Sequence, residues 1–115
     1  FTFVEDVVKA FFIAAKSNIV NKIFNIGSNK TIKVKTIIKL LGGKYVKIPK
    51  RPGEPNITYA DIRKIKRELK WHPKIDIKSG IKILLKNIDY WNKAPVWTKK
   101  SINIATKNWF KFMGK

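Results

Sequence analysis

The chain has 115 residues, enough for one modest core, with a net charge of +19, no cysteine and one histidine. That excludes a disulfide framework and a thiolate metal site, and no apolar run approaches the roughly 20 residues that span a bilayer, so the chain reads as soluble, from a reducing, cytoplasmic setting. The positive charge raises polyanion binding, but the excess is nearly all lysine, dispersed among Ile and Asn, with Arg51, Arg63 and Arg67 as the three arginines. Base-edge and bidentate phosphate recognition favour arginine, so a solvated surface is preferred over a nucleic-acid footprint.

The first residues, Phe1-Thr2-Phe3-Val4, are apolar and β-prone, as though cut from a longer chain. Val4, Val7, Val8, Phe11, Phe12 and Ala15 then recur at helical spacing, with Glu5 and Asp6 where the helix macrodipole favours acids. This predicts an amphipathic helix over residues 4–16, ended by Ser17-Asn18. Lys22-Ile23-Phe24-Asn25-Ile26 reads as a buried strand stopped by Gly27-Ser28-Asn29, giving an α/β rhythm. A second helix is predicted over 33–42 from Val34, Ile37, Ile38 and Leu41, with Gly42-Gly43 as its left-handed stop. Tyr45-Val46-Lys47-Ile48 reads as a short strand. The prolines of Pro49-Lys50-Arg51-Pro52-Gly53-Glu54-Pro55 forbid regular structure and leave a stiff, charged loop.

Beyond Tyr59, Asp61 is an N-cap or first-turn acid for a helix through Ile62, Ile65 and Leu69, ending near Trp71 and Pro73. Asp76 caps a longer helix whose predicted buried stripe is Ile77, Ile81, Leu84, Leu85, Ile88 and Trp91, closed by Asn92 to Pro95. A last helix starts after Thr98 and places Ile102, Ala105, Thr106, Trp109, Phe110 and Met113 on one face.

Arg51-Pro52-Gly53-Glu54 is the most informative element for function. An arginine fork binds a diphosphate through two parallel hydrogen bonds, and a carboxylate accepts from ribose or sugar hydroxyls. An Arg-Pro-Gly turn alone is an ordinary surface loop. The order of segments adds to it. Phe1-Thr2-Phe3-Val4-Glu5-Asp6-Val7-Val8, Phe24-Asn25-Ile26-Gly27, Arg51-Pro52-Gly53-Glu54, Ala60-Asp61-Ile62-Arg63-Lys64 and Leu69-Lys70-Trp71-His72-Pro73 together resemble the C-terminal region of extended short-chain dehydrogenases/reductases, the NAD-dependent epimerase/dehydratase family that includes UDP-glucose 4-epimerase. The resemblance covers residues 1 to about 93.

That resemblance implies an α/β fold: the C-terminal fragment of an extended Rossmann-type enzyme, mostly helices with a few short strands. Residues 1–30 would return to an absent dinucleotide-binding domain, 31–95 would form a small sugar-nucleotide-binding domain, and 96–115 a C-terminal helical extension. Arg51 would bind the nucleotide diphosphate and Glu54 the nucleoside end of an NDP-sugar. Asp6, Asn25, Asp61 and Trp71 match structural positions. NAD would be the parent's cofactor, bound outside this chain, and the parent would be a homodimer.

No catalytic residue is assigned, because the family's glycine-rich loop and Tyr-x-x-x-Lys pair fall upstream. Tyr59 is followed at the required offset by Arg63, and Tyr90 by Ala94. Lys33 stands where the family often has a capping Ser. The isolated chain is therefore expected to orient substrate and to catalyse nothing. His72 reads as a surface residue, with no partners for a metal. Trp91, Trp97, Trp109, Phe110 and Phe112 could stack nucleobases, but their helical spacing favours packing. Two rival readings stand beside the enzyme one: a basic nucleic-acid-binding module, and a dimerisation piece built on the aromatic tail.

Overall fold

The structure, a computed structural model, describes residues 1–43 and 45–114. Its elements are α1 (Val4–Lys16), α2 (Val34–Leu41), α3 (Arg63–Glu68), α4 (Ile77–Lys86), a 3₁₀ turn (Ile88–Trp91) and α5 (Lys99–Met113). Among the described residues there is no strand. Residues 22–26 and 45–48, expected as strands, are irregular because a strand exists only by ladder pairing, and among the described residues no segment pairs with either. The helix-rich character of the expected fold is observed; its short strands are not.

Local chemistry explains most helix ends. Ser17 closes α1, its hydroxyl donating to the Ala14 carbonyl at 2.8 Å. Lys33 precedes α2 without capping it, whereas Gly42 ends that helix at φ 73°, the left-handed conformation glycine adopts at little cost. Asp76 caps α4, accepting from the Lys78 and Ser79 N–H groups at 2.8 and 3.1 Å. These bonds, the one from Ser79 foremost, hold its carboxyl below the ordinary range. Thr98 and Ser101 form a reciprocal capping box at α5. Asp61 lies one residue before the N-cap position of α3, which Ile62 occupies. Its carboxylate takes the Arg63 N–H at 2.9 Å and pairs with the Arg63 guanidinium. Those bonds lower its pKa from 3.8 to about 2. α4 stops at Lys86 and tightens into the 3₁₀ turn, so the expected long stripe breaks: Ile81 is buried, but Leu84, Leu85, Ile88 and Trp91 are exposed.

The core is small. Ala10, Ile62, Ile65, Leu69 and Trp71 form it, flanked by Ile13, Ile19, Phe24, Ile26 and Ala60, each large side chain contributing about 1.5–3 kcal/mol when fully buried. Gly27 lets two segments meet here, since a Cβ at that position would overlap the Ala60 methyl. The inner face of α1 differs from the expected one. Asp6, Ala10 and Ile13 point inward, while Val4, Val8, Phe11 and Phe12 face out, Phe11 with 66% of its surface exposed. The rotation of the helix is set by Asp6. Its Oδ2 accepts the N–H groups of Lys74 and Ile75 at 3.0 and 2.9 Å, and its carbonyl accepts Trp71 Nε1–H at 3.0 Å.

The radius of gyration is 17.8 Å, against about 13 Å for a compact domain of this length. An open arrangement of this kind leaves apolar faces uncovered.

Candidate functional site

Residues 51–54 form a tight turn closed by the Glu54 N–H donating to the Arg51 carbonyl at 3.3 Å. Pro52 supplies the fixed φ of the second position, and Gly53 adopts φ 78° at the third, the combination that specifies a type II turn. The turn brings the two sequence-predicted site residues together: Arg51 Nη2 donates to Glu54 Oε1 in an ion pair. Both side chains are about a third exposed. Pro49 and Pro55 flank the turn and stiffen its approaches.

The C-terminal helix completes this site, a feature not apparent from sequence spacing. The Arg51 guanidinium lies 5.2 Å from the centre of the Trp109 ring, within cation–π range. Trp109 Nε1–H donates to the Pro52 carbonyl at 2.8 Å. One turn on, Met113 covers Gly53, where an added Cβ would lie 3.3 Å from its Cε. The tail expected as an extension over 96–115 thus folds onto the candidate loop of its own chain; Lys115 falls outside the described residues. Arg51 Nε is buried without a hydrogen-bond partner. A planar guanidinium held at a terminal nitrogen by a carboxylate can exchange that partner for an anionic oxygen pair.

The residues matched as structural take structural places. Trp71 is 3% exposed and plugs the core. Asn25 Nδ2 donates to the Asp61 carbonyl at 3.4 Å, tying the glycine-ended segment to the start of α3. His72 is exposed. A polar cleft of about 260 Å³, separate from Arg51, includes Thr2, Ser28, Lys30, Thr58 and Tyr59. Beside it the Tyr59 hydroxyl donates to Asn29 Oδ1 at 2.6 Å. Among the described residues no three His, Cys, Asp or Glu side chains gather to hold a metal, and no helix is long and apolar enough to cross a membrane.

The described residues do not fit NAD. A dinucleotide site needs a strand, a glycine-rich turn and a helix N-terminus aimed at the pyrophosphate. Here no strand exists, and the helix after Gly27 begins seven residues later, at Val34.

No protein-family model matches the chain, and no solved structure matches it. Curated proteins do. A UDP-glucuronate 4-epimerase of Thermodesulfobacterium geofontis is 31% identical over 111 residues, 90% of this chain and 33% of that protein. A candidate UDP-glucose 4-epimerase of Methanocaldococcus jannaschii is 36% identical over 88 residues, 71% of this chain and 28% of that protein. An uncharacterized protein of the same organism is 34% identical over 89 residues, 71% of this chain and 27% of that protein. The chain therefore spans about a third or less of the length of the curated relatives it matches, and over that part it is related to sugar-nucleotide epimerases.

Proposed function

We propose that this chain is the substrate-binding part of an NAD-dependent sugar-nucleotide epimerase or dehydratase and that it holds the NDP end of an NDP-sugar through Arg51 and Glu54. The observation carrying the proposal is the juxtaposition of those two side chains on one proline-glycine turn, in a chain related to a UDP-glucuronate 4-epimerase along most of its length. In this reading Arg51 exchanges its Glu54 partner for the diphosphate, making charge-assisted hydrogen bonds worth roughly 1.5–3 kcal/mol each. The released Glu54 carboxylate accepts from a nucleoside hydroxyl. The chain orients the nucleotide; hydride chemistry and NAD belong to a dinucleotide-binding domain outside these residues. The relation to epimerases also favours this reading over the nucleic-acid-binding one, which has no counterpart among these relatives.

Calorimetric titration with UDP and with uridine tests the assignment. Arg51→Ala is expected to weaken UDP binding about 10- to 100-fold, from the net loss of one charge-assisted bond, and to leave uridine nearly unaffected. Glu54→Ala is expected to weaken both. Equal losses for UDP and uridine with Arg51→Ala, or none, would contradict the diphosphate role.

A further inference from the structure

We infer that Trp109 is the positioning residue for Arg51: α5 serves the nucleotide site by holding the guanidinium on an aromatic face while clamping the turn that carries it. The inference deepens the proposed function and rests on it. Trp109 reaches two points of the site at once. Its ring faces the Arg51 guanidinium at 5.2 Å, and its Nε1–H fixes the Pro52 carbonyl at 2.8 Å. Met113, one helical turn later, closes over Gly53. The capping box at Thr98 and Ser101 anchors the opposite end of the same helix, so the indole is presented from a defined start.

A guanidinium on a long, flexible stem loses rotamer freedom on binding an anion, and a ring that already restrains it lowers that cost. A cation placed over a ring spends no hydrogen-bond donor on it, so the guanidinium keeps its N–H groups for oxygen partners. The Glu54 carboxylate occupies part of that edge. The diphosphate must displace it, and Trp109 keeps Arg51 in place during the exchange. Trp109 itself touches Arg51 and the turn and is not required to touch the ligand.

UDP titrations of the full chain carrying Arg51→Ala, Trp109→Ala, Trp109→Leu, Trp109→Phe and the double change Arg51→Ala/Trp109→Ala test this, with the Arg51 Nε–H resonance as a structural readout. Loss of the ring face by Ala or Leu is expected to weaken UDP binding about 3- to 10-fold, the range of a partly exposed cation–π contact. Phe, which keeps the face, is expected to restore most of the affinity and the ring-current shift of Arg51 Nε–H. The double variant should bind within about twofold of Arg51→Ala alone, because Trp109 acts through Arg51. Leu retains apolar bulk, so it separates the ring's charge distribution from simple packing even if the Ala variant does not fold. If Leu binds as tightly as wild type, or if the Arg51 and Trp109 losses multiply, the positioning role is overturned while the Arg51 assignment stands. If Arg51→Ala leaves UDP binding unchanged, the site assignment is overturned and the positioning role with it.

Discussion

Asp6→Ala should be among the most damaging single changes in the core. Asp6 is fully buried and joins three points of the chain: its Oδ2 receives the N–H groups of Lys74 and Ile75 at 3.0 and 2.9 Å, and its carbonyl receives Trp71 Nε1–H. Alanine strands both N–H groups in a partly buried place, at about 1–2 kcal/mol each when the lower part of the range is taken for that exposure. The expected loss is therefore about 2–4 kcal/mol, a large share of the 5–15 kcal/mol typical of a domain. The corresponding fall in Tm is roughly 8–16 °C. Asp6→Asn keeps an acceptor for the same N–H groups and should cost only about 1 kcal/mol, the difference between charged and neutral bonds. Urea denaturation followed by circular dichroism measures both. A loss under about 0.5 kcal/mol for Asp6→Ala would refute the assignment of α1 rotation to this carboxylate.

Gly27→Ala should lower stability by about 1–3 kcal/mol, because its Cβ would overlap the Ala60 methyl and force the backbone apart; pairing it with Ala60→Gly should recover part of the loss in the same unfolding assay. Asp61 adds a pH dependence. Its pKa is depressed in the folded chain from 3.8 to about 2 by hydrogen bonds from Arg63, so its contribution is present above about pH 3.8 and is lost as pH falls toward 2. Wild type and Asp61→Asn should therefore differ near neutral pH and converge near the bottom of that window, and a gap independent of pH would contradict the pairing.

The helices were legible because their signals are local: hydrophobic period, the Asp76 and Thr98 caps and the Gly42 stop each act within a few residues. The orientation of α1 was not. The period marks Val4, Val8, Phe11 and Phe12 as its apolar face, yet the inward face follows from hydrogen bonds between Asp6 and residues 65 or more positions away. Strand propensity at 22–26 and 45–48 likewise says nothing about whether a pairing partner exists. The proline-glycine turn was readable from its own residues, and it brings Arg51 to Glu54. Trp109 was legible only as one aromatic in a helical stripe, since its contact to Pro52 crosses 57 residues of chain.

The most direct measurement is nuclear magnetic resonance mapping of UDP binding on the isotope-labelled chain at physiological salt. The expected result is a saturable set of shifts centred on the Arg51 Nε–H, the Gly53 and Glu54 amides and the Trp109 indole N–H, absent with uridine at Arg51 and, at the Glu54 amide and the Trp109 indole, moved to about 10- to 100-fold higher UDP concentration by Arg51→Ala. Shifts spread over the dispersed lysines and fading with added salt, or no shifts at the 51–54 turn, would contradict a sugar-nucleotide site there.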